Sequence, residues 1–179
     1  ALIERFATDF LRYMAFVPDA GEAFDVRDYD FDRDPPRLKT MARIYDATDP
    51  DLSGFRERGG KLLLFHGWAD PIVTPQRTLE YYDAVRTRMG GNEPTAEFAR
   101  LFMLPGVGHC RGGVGPDQAD WMAALVGWVE KGTKPVTITA RAERDGHAPL
   151  RMPARVEQDD LAVAEEIVAR REAVRGAPG

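Results

Sequence analysis

Hydrophobic residues change their spacing several times along the chain, and each change marks an element. Near the start, Ile3, Phe6, Phe10, Tyr13 and Val17 recur at three- and four-residue intervals. That spacing predicts an amphipathic helix over 1–17, stopped at Pro18 and Asp19. Residues 19–36 are rich in aspartate and read as a loop, and 37–46 as a short helix. After Gly59-Gly60 comes a continuous apolar strand, Lys61–Phe65. A strand without polar alternation is usually buried on both faces, as in a parallel sheet. Thr74-Pro75 opens the next helix, since Thr can cap and Pro suits the first helical position. Leu79, Tyr82, Val85 and Met89 share one face of it, and Gly90-Gly91 stops it. Phe98–Leu104 is a second apolar strand, followed by a glycine-rich loop over 106–115. Trp121, Leu125, Trp128 and Val129 mark another helix, closed by Gly132, and Val136–Ala140 a short strand. Beyond residue 141 the chain turns polar and rich in Arg and Glu, with a helix over 157–174 that aligns Leu161, Ala164, Ile167 and Val174. The order strand, helix, strand, helix predicts an α/β fold with a right-handed parallel crossover, and residues 142–179 read as a polar, partly helical tail.

Composition narrows the function classes. A chain of 179 residues, 44% hydrophobic and 30% charged, fits one ordinary soluble globular domain. No apolar run approaches the roughly 18 to 20 residues that span a bilayer. The opening Ala-Leu-Ile-Glu-Arg-Phe is not a signal peptide, and the missing initiator Met fits a trimmed or partial chain. A net charge of −5 gives nucleic-acid binding little support. Zinc clusters, Walker loops and dinucleotide motifs are absent, so no cofactor is expected. Asp28, Asp30, Asp32 and Asp34 have the alternation of a calcium loop, but its sixth and twelfth positions hold Arg33 and Lys39. A solvated acidic loop is the better reading, and no metal is assigned. Cys110 is the only cysteine. Composition alone makes it a small buried hydrophobe, whereas its place beside His109 suggests something more specific.

Candidate chemistry gathers at two strand ends. Asp70 ends Leu62-Leu63-Leu64-Phe65-His66-Gly67-Trp68-Ala69-Asp70, and His109 lies in Leu104-Pro105-Gly106-Val107-Gly108-His109-Cys110. In open α/β sheets, ligand chemistry collects beyond the carboxyl ends of the strands. Acyl transfer to a serine needs a base that takes and returns the hydroxyl proton, and histidine, with an ordinary pKa of about 6.5, suits it. A carboxylate then holds the ring in the right tautomer and stabilises the imidazolium. Asp70 before His109 fits the order Ser…Asp…His of α/β-hydrolases. Singly, Asp70-Pro71 could be a turn and His109 an exposed loop residue; together, after these strands, they form a candidate acid–base pair. The only serine, Ser53, precedes both and lacks the strained turn that exposes a nucleophile, so this chain has no candidate nucleophile. His66, at its strand end, is expected to support the site or pack beneath it. His147 has no assigned role.

The stretches Asp51-Leu52, Gly59-Gly60-Lys61-Leu62, His66-Gly67-Trp68-Ala69-Asp70-Pro71 and Tyr81-Tyr82 resemble the tannase and feruloyl esterase family of α/β-hydrolases. Arg100–Cys110, Gly112-Gly113-Val114-Gly115-Pro116 and Ala124–Gly132 extend the likeness, which covers roughly residues 1–141. It implies that these residues are the C-terminal part of a catalytic domain with an incomplete sheet. Asp70 would be the triad acid and His109 the general base, with His66, Gly67, Trp68 and Gly108 supporting them. Cys110 would pair with a cysteine beside the nucleophilic serine, both upstream of this chain, which requires an oxidising compartment. The substrate would be a small aromatic-acid ester and the location secreted or periplasmic. The other partner would be the upstream part of the same protein, where a lid domain often holds calcium. The segment after about residue 141 departs from the family's usual ending, although Arg151-Met152-Pro153 resembles a remnant.

On this resemblance, the Asp70 strand would leave a long apolar edge unpaired in this chain. Two other readings stay open: part of a different α/β-hydrolase esterase, or a non-catalytic remnant or interaction module.

Overall fold

The computed structural model describes residues 2–142 and 150–153. The chain divides into two units, Ala1–Asp49 and Pro50–Gly179. In the first, helix α1 (Leu2–Tyr13) is followed by short 3-10 turns at Val26–Asp28 and Pro35–Leu38 and by helix α2 (Lys39–Tyr45). Its core is Leu11, Ala15 and Phe16, packed against Phe24, Val26, Tyr29 and Leu38. Here the sequence expectation about the helix needs correction. It ends at Tyr13, and the stripe of Ile3, Phe6, Phe10, Tyr13 and Val17 is exposed. Periodicity identifies a helix but not the face its neighbours cover.

The acidic segment also differs from a solvated loop. Asp34 is buried, and its carboxylate accepts from Arg33 Nε (3.2 Å), Arg37 Nη1 (2.8 Å) and the Asp30 N–H (3.0 Å). The Arg33 guanidinium, the Asp30 amide and Arg37 hold its carboxyl well below the usual carboxylate range against the opposing effect of burial.

The second unit carries the site. Strands β1 (Leu62–Gly67) and β2 (Ala99–Leu104) pair in parallel, in register from Leu62 opposite Ala99 to Gly67 opposite Leu104. Between them run α4 (Pro75–Arg88) and the short α5 (Asn92–Ala96). Helix α3 (Ser53–Glu57) precedes β1. Beyond β2 come β3 (Gln118–Ala119), α6 (Trp121–Lys131), β4 (Thr137–Arg141) and β5 (Leu150–Pro153), the three strands forming an antiparallel sheet in the order β3-β4-β5.

Every residue of β2 is buried, as an apolar run without alternation requires. Ala99, Leu101 and Met103 face Tyr82 and Val85 of α4 and its cap residue Met89 on one side, with Leu62 and Leu64 of β1. Phe102 and Leu104 pack on the other side with Val107, Ile138 and Ala140, against Leu63, Trp121 and Ala124. Helices thus cover both faces of the parallel pair, giving the expected α/β class. The Tyr82 hydroxyl donates to the Ala99 carbonyl at 3.1 Å and pins α4 to β2. Asp120 caps α6 by accepting from the Ala123 N–H at 2.8 Å, and Gly132 closes it in the left-handed region. The expected strand at 136–140 exists as β4, but its partners are antiparallel. The helix expected over 157–174 lies outside the described residues. Among the described residues no helix is long and apolar enough to cross a membrane.

Among the described residues β1 pairs along one edge only. Leu62, Leu63 and Leu64 are half-buried, and Phe65, stacked on Trp121 at 4.5 Å, remains 48% exposed. Such an edge templates further pairing. The isolated chain is therefore expected to self-associate in sedimentation velocity as its concentration rises. A sharp, concentration-independent monomeric unfolding transition would contradict this.

Candidate active site

The register of the parallel pair sets up the site. Because Gly67 lies opposite Leu104, both chains leave the sheet at one level. Two backbone hydrogen bonds continue the contact: Trp68 N–H to Leu104 O at 2.9 Å and Ala69 N–H to Val107 O at 3.0 Å. Gly67 makes this approach possible. A Cβ there would lie 2.3 Å from the Val107 carbonyl oxygen and 2.7 Å from that of Gly108.

The loop after β2 is held by its own backbone. Val114 and Gly115 both donate to the Gly106 carbonyl at 2.9 Å, and Gly108 donates to Gly112 O at 3.0 Å. The Gly112 N–H donates to Asp117 at 2.7 Å. A Cβ on Gly115 would lie 1.8 Å from the Pro105 carbonyl oxygen. Loop glycines therefore let the backbone fold onto itself and present His109 and Cys110 at its turn.

Asp70 and His109 meet. The Asp70 side chain is 4% exposed, and its Oδ2 lies 2.9 Å from His109 Nδ1. Oδ1 accepts from the backbone N–H groups of Ile72 (2.8 Å) and Val73 (2.9 Å), an arrangement Asp readily forms before a turn. Burial pushes the Asp70 pKa up. The Val73 N–H, the His109 ring and the Ile72 N–H outweigh it, and the carboxyl sits well below the usual carboxylate range. An ionised carboxylate only accepts, so His109 Nδ1 carries a proton, and in the neutral ring the lone pair is then on Nε2. The His109 side chain is 42% exposed. That tautomer can take a proton at Nε2 and have the resulting charge balanced at Nδ1.

His66 is also in the site. Its Nε2 lies 3.2 Å from Asp70 Oδ2 and 3.1 Å from the Val73 carbonyl oxygen, and its Nδ1 lies 2.7 Å from Thr78 Oγ1. Trp68 is half-buried against the core on the α4 side. Cys110 is exposed and free, which corrects its reading as a buried hydrophobe, and its φ of 63° is unusual for a residue with a side chain. A pocket of about 180 Å³ is lined by Phe65, His66, Gly67, Asp70, Val73, Leu104, Val107, Gly108, His109 and Cys110. Ser53 is not among those residues; it opens α3, and its N–H donates to Asp51 at 3.0 Å. Sequence reasoning missed Thr78 and the Val73 carbonyl. A hydroxyl in the first turn after Thr74-Pro75 was the available signal for Thr78.

The pattern of residues 5–163 matches the family described as tannase and feruloyl esterase, and the chain belongs to that family. It is 39% identical over 139 residues to the mono(2-hydroxyethyl) terephthalate hydrolase of Piscinibacter sakaiensis, a match covering 73% of this chain and 23% of that protein. It is 44% identical over 102 residues to a probable feruloyl esterase of Arthroderma benhamiae, covering 56% of this chain and 19% of that one. Among solved structures it is similar to an esterase from Aspergillus oryzae, with a TM-score of 0.71 and 27% identity over 82% of this chain and 32% of the other. It is likewise similar to the tannin acyl hydrolase from Aspergillus niger, with a TM-score of 0.63 and 28% identity over 80% of this chain and 29% of the other. The chain thus spans a third or less of the length of these proteins.

Two outcomes follow from the packing. Gly67→Ala must part the two loops or strain β1, costing about 1–3 kcal/mol. Chemical denaturation checks this, and unchanged stability would show that the contact is slack. Asp70 contributes one part of the pH dependence of stability. Its folded pKa is depressed, so its contribution to stability is present above the ordinary carboxylate pKa of about 3.9 and is lost as pH falls from there towards the folded value. Wild type should exceed Asp70→Asn in melting temperature near neutrality, with the gap narrowing below pH ~4. A gap that widens in acid would contradict the sign.

Proposed function

We propose that this chain is the acid- and base-bearing part of a carboxylic-ester hydrolase that works through a serine. The observation that carries the reading is the His109 Nδ1 contact with the buried Asp70 carboxylate, at 2.9 Å. In this reading His109 Nε2 removes the proton from a serine hydroxyl as the oxygen attacks the ester carbonyl. The imidazolium, balanced by Asp70, then returns the proton to the departing alcohol. Water repeats the sequence on the acyl-enzyme, again with His109 as base. Backbone amides outside this chain provide the oxyanion hole. The serine also lies outside it, because Ser53 sits ahead of β1 and away from the pocket lining.

The names of the similar proteins support a reading of the substrate class. Feruloyl, tannin and terephthalate esters share an aromatic carboxylic acid as the acyl group. We therefore assign an aromatic-acid ester as substrate. Cys110, exposed at the lip of the pocket beside His109, is assigned a disulfide to a cysteine next to the nucleophile. That bridge needs an oxidising compartment, so we assign the protein to the secreted or periplasmic space.

Joining this chain to the serine-bearing portion of a family relative tests the reading. The assembled protein should hydrolyse methyl ferulate, and His109→Ala should reduce the rate about 10⁴-fold or more. The chain without that portion should show no turnover. Full activity in His109→Ala would overturn the assignment.

A further inference from the structure

Asp70 Oδ2 is shared by two imidazoles, and only one of them is accounted for above. His109 approaches from the loop after β2 and is substantially exposed, whereas the His66 side chain is 12% exposed. The atoms around His66 fix which ring nitrogen bears the hydrogen in the neutral ring. Its Nε2 faces the Asp70 carboxylate at 3.2 Å and the Val73 carbonyl at 3.1 Å. Neither carries a hydrogen, so the contacts are attractive only if Nε2 is the N–H, donating to both. In the neutral ring Nδ1 is then an acceptor, and the partner 2.7 Å away is the Thr78 hydroxyl, which can donate. The network closes on itself. Val73 gives its N–H to Asp70 Oδ1 and takes the His66 N–H on its carbonyl. It joins the end of β1, the turn after Asp70 and the first turn of α4.

We propose that His66 is a positioning residue for the Asp70–His109 pair: Thr78 locks it as the Nε2–H tautomer, and that N–H holds Asp70 Oδ2 where His109 Nδ1 meets it. His66 touches neither substrate nor nucleophile in this role. Without it, Oδ2 would lose one of its two donors and the carboxylate one of its restraints against rotation. Thr78 acts one step further back, by deciding which ring nitrogen bears the proton. The inference deepens the esterase reading and rests on it for its catalytic meaning, but its structural content can be tested apart from catalysis.

Substitutions at His66 separate donor geometry from bulk. Gln places an N–H₂ near the position of Nε2, so His66→Gln can still donate to Asp70. Asn reaches only about as far as Nδ1 and cannot. The chain has three histidines, which simplifies ¹⁵N labelling. In the protein, ring ¹⁵N shifts should show His66 as Nε2–H and His109 as Nδ1–H, with a downfield-shifted His109 ring proton. His66→Gln should keep that downfield resonance. His66→Asn should lose it or move it upfield. Thr78→Val should give His66 a mixture of tautomers, and Thr78→Ser should restore the single form. Melting curves on every variant identify any that fail to fold, and the Thr78 pair carries the test if His66→Asn is one of them.

The same variants in the protein joined to its serine-bearing portion should separate kcat from KM. His66→Asn lowers kcat about 10- to 100-fold through misplacement of the base, with KM little changed. An Nδ1–H form of His66 in wild type overturns the proposal, as does a His109 resonance indifferent to both His66 substitutions. Resonances that behave as described, in an assembled protein that hydrolyses no ester even as wild type, overturn the esterase reading and leave the network standing.

Discussion

The hydrogen bond between Asp70 and His109 joins residues 39 positions apart, and the rest of the site is arranged to make it possible. It requires two strands in parallel, in a register that ends them together, and two loops that touch immediately beyond. β1 and β2 supply the register, and the bare Cα of Gly67 allows the contact. A side chain at Gly67 would collide with the backbone carrying His109. The geometry of the Asp70–His109 pair is therefore set by a steric fact at the strand end, upstream of any electrostatic preference.

Electrostatics then favours one arrangement of that geometry. A buried carboxylate is costly unless its lone pairs are used. Asp70 offers one oxygen to two backbone amides and the other to two imidazoles. The backbone pair, Ile72 and Val73, belongs to the turn that leads into α4, so the carboxylate is oriented by the residues just ahead of the helix. That orientation selects the Nδ1–H tautomer of His109 and leaves Nε2 available, the state a general base needs. Cys110, immediately after, has a left-handed backbone, uncommon for a residue with a side chain.

Much of this could be read from the chain itself. The buried strands, α4 and α6 show in the runs and periods of Leu, Phe, Tyr and Trp. Asp70 and His109 stand out because each follows one of those strands in a recognisable order. Short elements could not be read: β3 has two residues and α5 five, and their formation depends on neighbours that a local pattern does not name. The α1 stripe was visible but its burial was not, because that depends on what packs against it. Asp34 looked like its neighbouring aspartates; only folding brings Arg33, Arg37 and the Asp30 amide around it. Thr78 was hidden for the same reason, being a contact of His66 only once α4 folds back along β1.

The central claim is that Asp70 makes His109 a base by fixing its tautomer and balancing its charge. Steady-state kinetics of Asp70→Asn, in the protein joined to its serine-bearing portion, test it most directly. Asn keeps the shape of the side chain but can present an N–H where the carboxylate presents an acceptor. The account predicts a fall in kcat of about 10⁴-fold with KM little altered. A variant that keeps kcat within about tenfold of wild type would contradict it, because a loss of about 1.4 kcal/mol or less is too small for that role.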